Sequence, residues 1–356
     1  MTQYVHSLSP FAIQFTEHFG IRWYGLAYLA GLLAGLYVVR FMALKGRTLV
    51  KANELSDLTT YVAIGVLAGG RIGYCLFYSP DLLTSVDSHF PYWGVLKVNE
   101  GGMASHGGIL GVMAVCWIYG RVRKMPWFHV LDLTVYGAAL GFFFGRIANF
   151  INGELFGRVA PATLSWAVKF PQEIYLWTQQ EVGKLVTLGP AAQALGQVQV
   201  DGNLVPLTDA EFQSWALQYT SNSQARRMVN ITADALIAAT QNGNQAVIEA
   251  LGVVLSPRYP SQLIQAVVEG LLVFIVLVFV WRKPQKPGVV AAWFGILYCS
   301  ARIFGEQFRM PDSQIGFQLW GLTRGQWLSI WMLIVGFVFL AYAQTRNTKK
   351  LGGWQS

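Results

Sequence analysis

Charge is scarce in this chain. Asp, Glu, Lys and Arg make up 12% of its 356 residues. Soluble domains carry about 25%, so an ordinary water-soluble globule is excluded. Cysteine is scarcer still. Cys75, Cys116 and Cys299 are odd in number, and each lies in an apolar segment. That excludes a disulfide framework and a cysteine-based metal site, and leaves small buried hydrophobes. The sequence also lacks a P-loop, a Gly-x-Ser-x-Gly elbow, a His-Glu-x-x-His pair and paired carboxylates on an apolar run. These absences set aside nucleotide hydrolysis, serine-hydrolase chemistry and the intramembrane proteases, and no metal-ligand spacing is present. The N-terminus has no basic n-region, so no cleavable signal peptide is expected. No internal repeat is evident, which disfavours the inverted-repeat transporters.

What is present is apolar. Hydrophobic residues reach 54% and aromatics 14%, with 37 glycines. Small residues let membrane helices approach closely, and Trp and Tyr favour the interfaces. Seven apolar runs, 21–41, 58–78, 104–120, 129–150, 262–281, 289–306 and 326–344, approach the ~20 residues that span a bilayer. The third is short and glycine-rich, so an irregular outer end is expected.

The net charge of +8 comes from short basic clusters beside these runs rather than from a nucleic-acid surface. Arg40, Lys45, Arg47 and Lys51 follow the first run. Arg121, Arg123 and Lys124 follow the third, Arg282, Lys283 and Lys286 the fifth, and Arg346, Lys349 and Lys350 the last. All four clusters fall on one side. The positive-inside rule makes that side cytoplasmic and places the N-terminus outside.

The expected fold is therefore an all-α polytopic membrane protein of seven transmembrane helices, N-terminus periplasmic and C-terminus cytoplasmic, with a small periplasmic α+β insertion domain. Residues 1–150 would carry the first four helices, 151–261 the periplasmic head, and 262–356 the last three helices and the tail. The head is too long for a structureless loop. Its stretch Gln197–Val205 alternates around Asp201-Gly202-Asn203, a hairpin signal. Thr208-Asp209-Ala210-Glu211 then reads as a helix N-cap opening a mostly helical stretch to about Leu251.

Ionisable groups are costly in a bilayer, about 2.5–3.5 kcal/mol at a span centre, and they gather toward the outer ends of the spans. The densest block is Gly145-Arg146-Ile147-Ala148-Asn149-Phe150-Ile151-Asn152-Gly153-Glu154-Leu155-Phe156-Gly157-Arg158. Arg146 and Asn149 share a helical face, and the helix should break at Asn152-Gly153. A second block places Tyr298, Arg302, Glu306 and Arg309 on one helical face, where an Arg302–Glu306 pair could simply orient the bundle. A third, Gly101-Gly102-Met103-Ala104-Ser105-His106-Gly107-Gly108, sets a histidine among glycines. Tyr24 and Arg71 are weaker candidates that would also serve as an interfacial anchor and a packing contact. Asp132, near the cytoplasmic end, reads as structural. His6, His18, His89 and His129 carry no motif. Arginines at headgroup level suit an anionic phosphate, which a guanidinium binds through paired hydrogen bonds.

These motifs resemble the prolipoprotein diacylglyceryl transferases. That family's signature usually reads Gly-Arg-(Leu/Ile)-Gly-Asn-Phe-Ile-Asn-Gly-Glu-Leu-(Trp/Tyr)-Gly-Arg, and residues 145–158 follow it. His106-Gly107-Gly108, Tyr24-Gly25, Gly69-Gly70-Arg71-Ile72-Gly73, Pro260-Ser261-Gln262, and Tyr298 with Arg302 and Glu306 also match, in order. The similarity weakens over 172–256. Ala148, Phe156 and Ile264-Gln265 depart from the usual Gly, Trp or Tyr, and Tyr-Glu.

The resemblance implies an enzyme of the bacterial inner membrane that needs no cofactor. Its substrates would be phosphatidylglycerol and the lipobox cysteine of a prolipoprotein signal peptide, with no nucleic-acid partner. The sulfur would attack the glyceryl carbon bearing the phosphate ester, forming a thioether and releasing glycerol phosphate. The expected catalytic residues are His106 as base, with Glu154 the other candidate, and Arg146 and Arg302 as stabilisers of the leaving phosphate. Tyr24, Arg71, Asn149, Asn152, Glu154, Gly157, Arg158, Tyr298 and Glu306 would bind substrate. The competing reading is a lipid or small-anion transporter, which would need a polar path toward the cytoplasm near Asp132.

Overall fold

A computed structural model describes residues 3–16, 20–88, 90–98, 101–311 and 318–354; His18 and His89 lie outside them. The protein is mostly helical. In chain order come β1 (Tyr4–Val5), β2 (Phe11–Gln14), β3 (Gly20–Arg22), α1 (Trp23–Leu44), α2 (Leu55–Phe77), α3 (Ser105–Val122) and α4 (Trp127–Ile151). Then follow β4 (Val168–Lys169), α5 (Glu173–Gln180), α6 (Gly189–Leu195), β5 (Gln197–Val200), β6 (Asn203–Pro206), α7 (Asp209–Leu217), α8 (Ser223–Gln241) and α9 (Gln245–Val254). α10 (Ser261–Gln265) runs through a π-helical turn, Ala266–Leu271, into α11 (Leu272–Val280). α12 (Val289–Gly305) and α13 (Arg324–Thr345) complete the chain.

Each of the seven apolar runs falls on a helix. Among the described residues five helical stretches are long and apolar enough to cross a membrane: α1, α2, α4, Ser261–Val280 and α13. α12 is apolar but only 17 residues long, and α3 has 18 residues with Arg121 in its last turn. The irregular approach to α3 is also as expected, with positive φ at Gly101 and Gly102.

The chain divides into two compact units. The first, here the helical unit, comprises Tyr28–Phe144, Val267–Ile303 and Gln326–Ser356. Its helices meet through glycine. A Cβ on Gly69 of α2 would lie 2.4 Å from the Gly107 carbonyl of α3, and one on Gly111 would lie 2.0 Å from the Gly65 carbonyl. On another pair, a Cβ on Gly35 of α1 would lie 2.5 Å from Gly137 Cα of α4. Glycines four apart on facing helices let backbones touch, the small-residue packing of membrane bundles. A core of Met42, Leu55, Leu133, Tyr136, Leu277 and Trp281 fills the rest. Large apolar side chains such as Tyr37, Phe279 and Val335 point outward and remain exposed, as lipid-facing helices require. Asp132 is buried and accepts hydrogen bonds from the N–H groups of Gly288 and Ala291, both 2.8 Å away. It caps the start of α12, which gives this carboxylate the structural role its sequence suggests. His129 accepts from the Leu49 N–H at 3.1 Å.

The second unit, here the head, comprises Met1–Ala27, Gly145–Ala266 and Phe304–Gly325. It holds a core of large side chains, Ile174, Trp177, Leu185, Phe212, Leu236 and Leu251, all fully buried. Burial of such side chains stabilises by roughly 1.5–3 kcal/mol each. The β5–β6 hairpin forms at Asp201-Gly202, both with positive φ, as its sequence demands. Thr208 Oγ1 accepts the Glu211 N–H and caps α7. β1 pairs in parallel with β4, and β2 with β3 in an antiparallel ribbon.

Candidate functional site

In the head, the signature block starts on the last turns of α4. The helix ends at Ile151, where Gly153 adopts φ +69° and Leu155 φ +54°, so the break expected at Asn152-Gly153 is present. The turn closes with the Glu154 N–H donating to Asn149 O at 3.1 Å. This reversal brings the Glu154 side chain back onto Asn149. Asn149 Nδ2 donates to Glu154 Oε1 at 2.8 Å, Tyr24 OH donates to the same oxygen at 2.6 Å, and Asn149 Nδ2 also contacts Tyr24 OH. Tyr24 opens α1, 125 residues away in sequence from Asn149. Three expected substrate-binding residues therefore form one hydrogen-bonded cluster. Asn149 is buried, and Arg146 is half-buried one turn earlier on α4.

Asn152 has a different setting. Its carbonyl accepts from Gln172 Nε2 at 3.2 Å, while its buried Oδ1 has no hydrogen-bond partner. Gly157 allows a close crossing: a Cβ there would lie 2.3 Å from the Tyr259 carbonyl and 2.6 Å from that of Phe308. Arg158 donates from Nε to Arg309 O at 2.9 Å and from Nη2 to Glu306 O at 3.3 Å. It ties the signature to the segment after α12. Glu306 is buried; it accepts from Thr323 Oγ1 at 3.1 Å and pairs with Arg309 at 3.6 Å.

Sequence reasoning missed the pair that supports this block. Arg258 is buried and meets buried Glu173 through two parallel hydrogen bonds of 2.9 and 2.8 Å. Arg258 Nη1 also donates to the Gly157 carbonyl at 3.1 Å, and its guanidinium lies 4.8 Å from the centre of the Phe156 ring. Phe156 stacks in turn on Phe170. The aromatic at position 156 thus faces a cation, a contact that Phe supplies although Trp supplies it more strongly. Residues 173 and 258 are 85 apart and carry no motif, so only the fold joins them. The departure Ala148 is fully buried and accommodated. Gln265, where the family commonly has Glu, is fully buried with both amide atoms unpartnered.

In the helical unit, Arg71 is buried and binds four carbonyls. Nε reaches Val95 O and Nη2 reaches Gly94 O, both at 2.8 Å; Nη1 reaches Gly101 O at 2.5 Å and Gly102 O at 3.1 Å. These bonds organise the loop that leads into α3. His106 sits in the first turn of α3 and is exposed. Its neighbour Gly107 is required by packing, because a Cβ there would lie 2.2 Å from the Gly69 carbonyl. Gly108 has only ordinary clearance, 3.6 Å to Val66 O.

On α12, Tyr298 stacks on Phe142 with ring centres 4.5 Å apart. Arg302, one turn on, donates from Nη1 to Glu269 Oε1 at 3.3 Å. Glu269 is the third residue that sequence reasoning missed. The available signal was its solitude, since it is the only charged residue in 261–280. Among the described residues no group of three or more His, Cys, Asp or Glu could hold a metal.

Comparison with known proteins gives a consistent result. Residues 10–342 match the family described as prolipoprotein diacylglyceryl transferase. A phosphatidylglycerol–prolipoprotein diacylglyceryl transferase of Bdellovibrio bacteriovorus is 46% identical over 351 residues, 99% of this chain and 97% of that protein. Proteins of the same name from Psychrobacter arcticus and Ralstonia pickettii are 36% and 33% identical, each over 92% of this chain and 90% of their own length. With a match across nearly the whole chain and its signature folded around Tyr24, Asn149 and Glu154, the chain belongs to the prolipoprotein diacylglyceryl transferase family.

Proposed function

We propose that the protein transfers the diacylglyceryl group of phosphatidylglycerol to the lipobox cysteine of a prolipoprotein signal peptide. The observation that carries this reading is the Tyr24–Asn149–Glu154 cluster directly after Arg146 on α4. A phosphatidylglycerol headgroup combines an anionic phosphate with neutral glycerol hydroxyls. Arg146 supplies a cation for the first, and the fixed amide, phenol and carboxylate supply hydrogen bonds for the second.

In the reaction the cysteine thiol loses its proton and its sulfur attacks the glyceryl carbon. The C–O bond breaks, its electron pair goes to the phosphate oxygen, and glycerol phosphate leaves. A free thiol has a pKa near 8.5, so a base must raise its thiolate fraction. Exposed His106, reachable by a second substrate, is assigned that role. Arg146 and Arg302 are assigned the charge growing on the phosphate. Tyr298 orients the headgroup from α12. Arg71 and Arg158 donate to main-chain carbonyls and so shape the neighbouring loops around the lipid they help to bind.

The protein is read as an inner-membrane enzyme of seven spans, with residues 151–261 as its periplasmic head and the basic loops cytoplasmic. The transporter alternative is weakened by Asp132, since that carboxylate is fully engaged in capping α12. Activity measurements in phosphatidylglycerol vesicles test the reading. Arg146→Ala and Arg302→Ala should each lose at least ~100-fold in rate, the scale of removing one charge-stabilising donor. His106→Gln should lose ~10²–10⁴ at pH 7 and recover in part at pH 9, where the thiol ionises unaided. Near-parental rates for both arginine variants would refute the phosphate assignment.

A further inference from the structure

The helical stretch Ser261–Val280 is the most hydropathic of the five membrane-capable helices. It carries a single charged residue, Glu269, and that residue is fully buried. A lone carboxylate in such a span is unfavourable unless a cation or hydrogen-bond donors compensate it, and such residues mark function more often than packing. Three observations say what this one does.

First, Glu269 sits in the π-helical turn Ala266–Leu271. A π turn inserts an extra residue into a helix and re-aims the side chains beside it, an irregularity concentrated at functional sites. Second, the turn is pinned in place. The next residue is Gly270, where a Cβ would fall 2.6 Å from both Cα and N of Phe143 on α4. Third, Glu269 Oε1 accepts from Arg302 Nη1 at 3.3 Å, and the two ends of this pair differ in access. The glutamate side chain is 0% exposed and the arginine side chain 15%. The carboxylate is the anchored, buried end, and the guanidinium is the end nearer the surface.

We propose that Glu269 is a positioning residue for the transfer reaction, holding the Arg302 guanidinium in the orientation from which it stabilises the leaving phosphate. This rests on the role assigned to Arg302 above. A side chain as long as arginine loses much rotamer freedom when it is ordered. A rigid buried carboxylate at one nitrogen orders it before the lipid arrives, so less ordering remains to be done in the transition state.

The test is a kinetic comparison of Glu269→Gln with the parent, full-length and purified, using vesicles of graded phosphatidylglycerol content and a lipobox peptide. The substitution keeps an acceptor oxygen and removes the charge. Expected are a fall in kcat of at least tenfold, a KM for phosphatidylglycerol within threefold of the parent, and unchanged thermal unfolding. In an Arg302→Lys background, where the geometry is already lost, the same substitution should lower the rate less than threefold. A parental kcat, a raised KM at constant kcat, or equal fold losses in both backgrounds would overturn the proposal. If Glu269→Gln does not fold, Glu269→Asp keeps the charge and shortens its reach. It should fold and lose kcat, and a folded Asp variant with parental kcat is again contrary. An Arg302→Lys enzyme at parental rate is a separate result, because it removes Arg302 itself from the mechanism.

Discussion

The head and the helical unit are built from the same chain but by opposite packing rules. The head turns large aliphatic and aromatic side chains inward, with Trp177 and Phe212 fully buried. The helical unit brings backbones together at Gly35, Gly69 and Gly111 and leaves side chains as large as Phe279 outside. In water the hydrophobic effect drives the first arrangement. In lipid it offers helices no such drive, so close backbone contact and polar pairing hold the second. Expected functional residues occur in both units and are fixed by their neighbours: Asn149 and Glu154 hold each other in the head, and Arg302 meets Glu269 in the helical unit.

The contrast can be broken from either side. The largest effect is expected in the head. Glu173→Ala leaves Arg258 buried and without its carboxylate, which costs about 3–5 kcal/mol. Thermal unfolding in detergent should show a large drop in Tm, and an unchanged Tm would mean that the pair does not hold the signature turn. In the helical unit Gly111→Leu should also destabilise, though less, despite adding hydrophobicity, because its Cβ would collide with the Gly65 carbonyl. Overpacking of this kind costs about 1–3 kcal/mol. Stabilisation by Gly111→Leu would contradict backbone contact between α2 and α3.

An effect confined to acid pH is expected at His6. Burial between Phe150 and Phe170 pushes this imidazole down to about 4. The native state therefore holds it neutral, while the unfolded state binds a proton near the ordinary value of 6.5. Its contribution is full above about pH 6.5 and is lost as pH falls toward 4. Linkage sets the scale at roughly 3 kcal/mol. His6→Leu should flatten the fall in stability between pH 6.5 and 4, and a parental slope would remove His6 as its cause.

Much of this organisation was legible in the sequence because local patterns carry it. Hydropathy located each of the seven apolar helices, Asp201-Gly202 the hairpin, and Thr208 the start of α7. Glycine marked the break after α4. Pairings across long separations were not legible. Arg258 with Glu173 spans 85 residues and Arg302 with Glu269 spans 33. The i, i+4 spacing of Arg302 and Glu306 drew attention to an intrahelical pair. The contacts of Glu306 with Thr323 and of Arg302 with a different helical stretch carry no such local signal. The partners of Arg71 were not legible either, because main-chain carbonyls leave no trace in a sequence.

The central claim is thioether formation from phosphatidylglycerol, and product analysis tests it most directly. Purified protein would be mixed with phosphatidylglycerol vesicles and a lipobox peptide, and the peptide weighed by mass spectrometry. The account predicts one diacylglyceryl group on the cysteine, one glycerol phosphate released per peptide, and no product from a peptide with serine in its place. Phosphatidylglycerol carried across the bilayer with the peptide unmodified would contradict it.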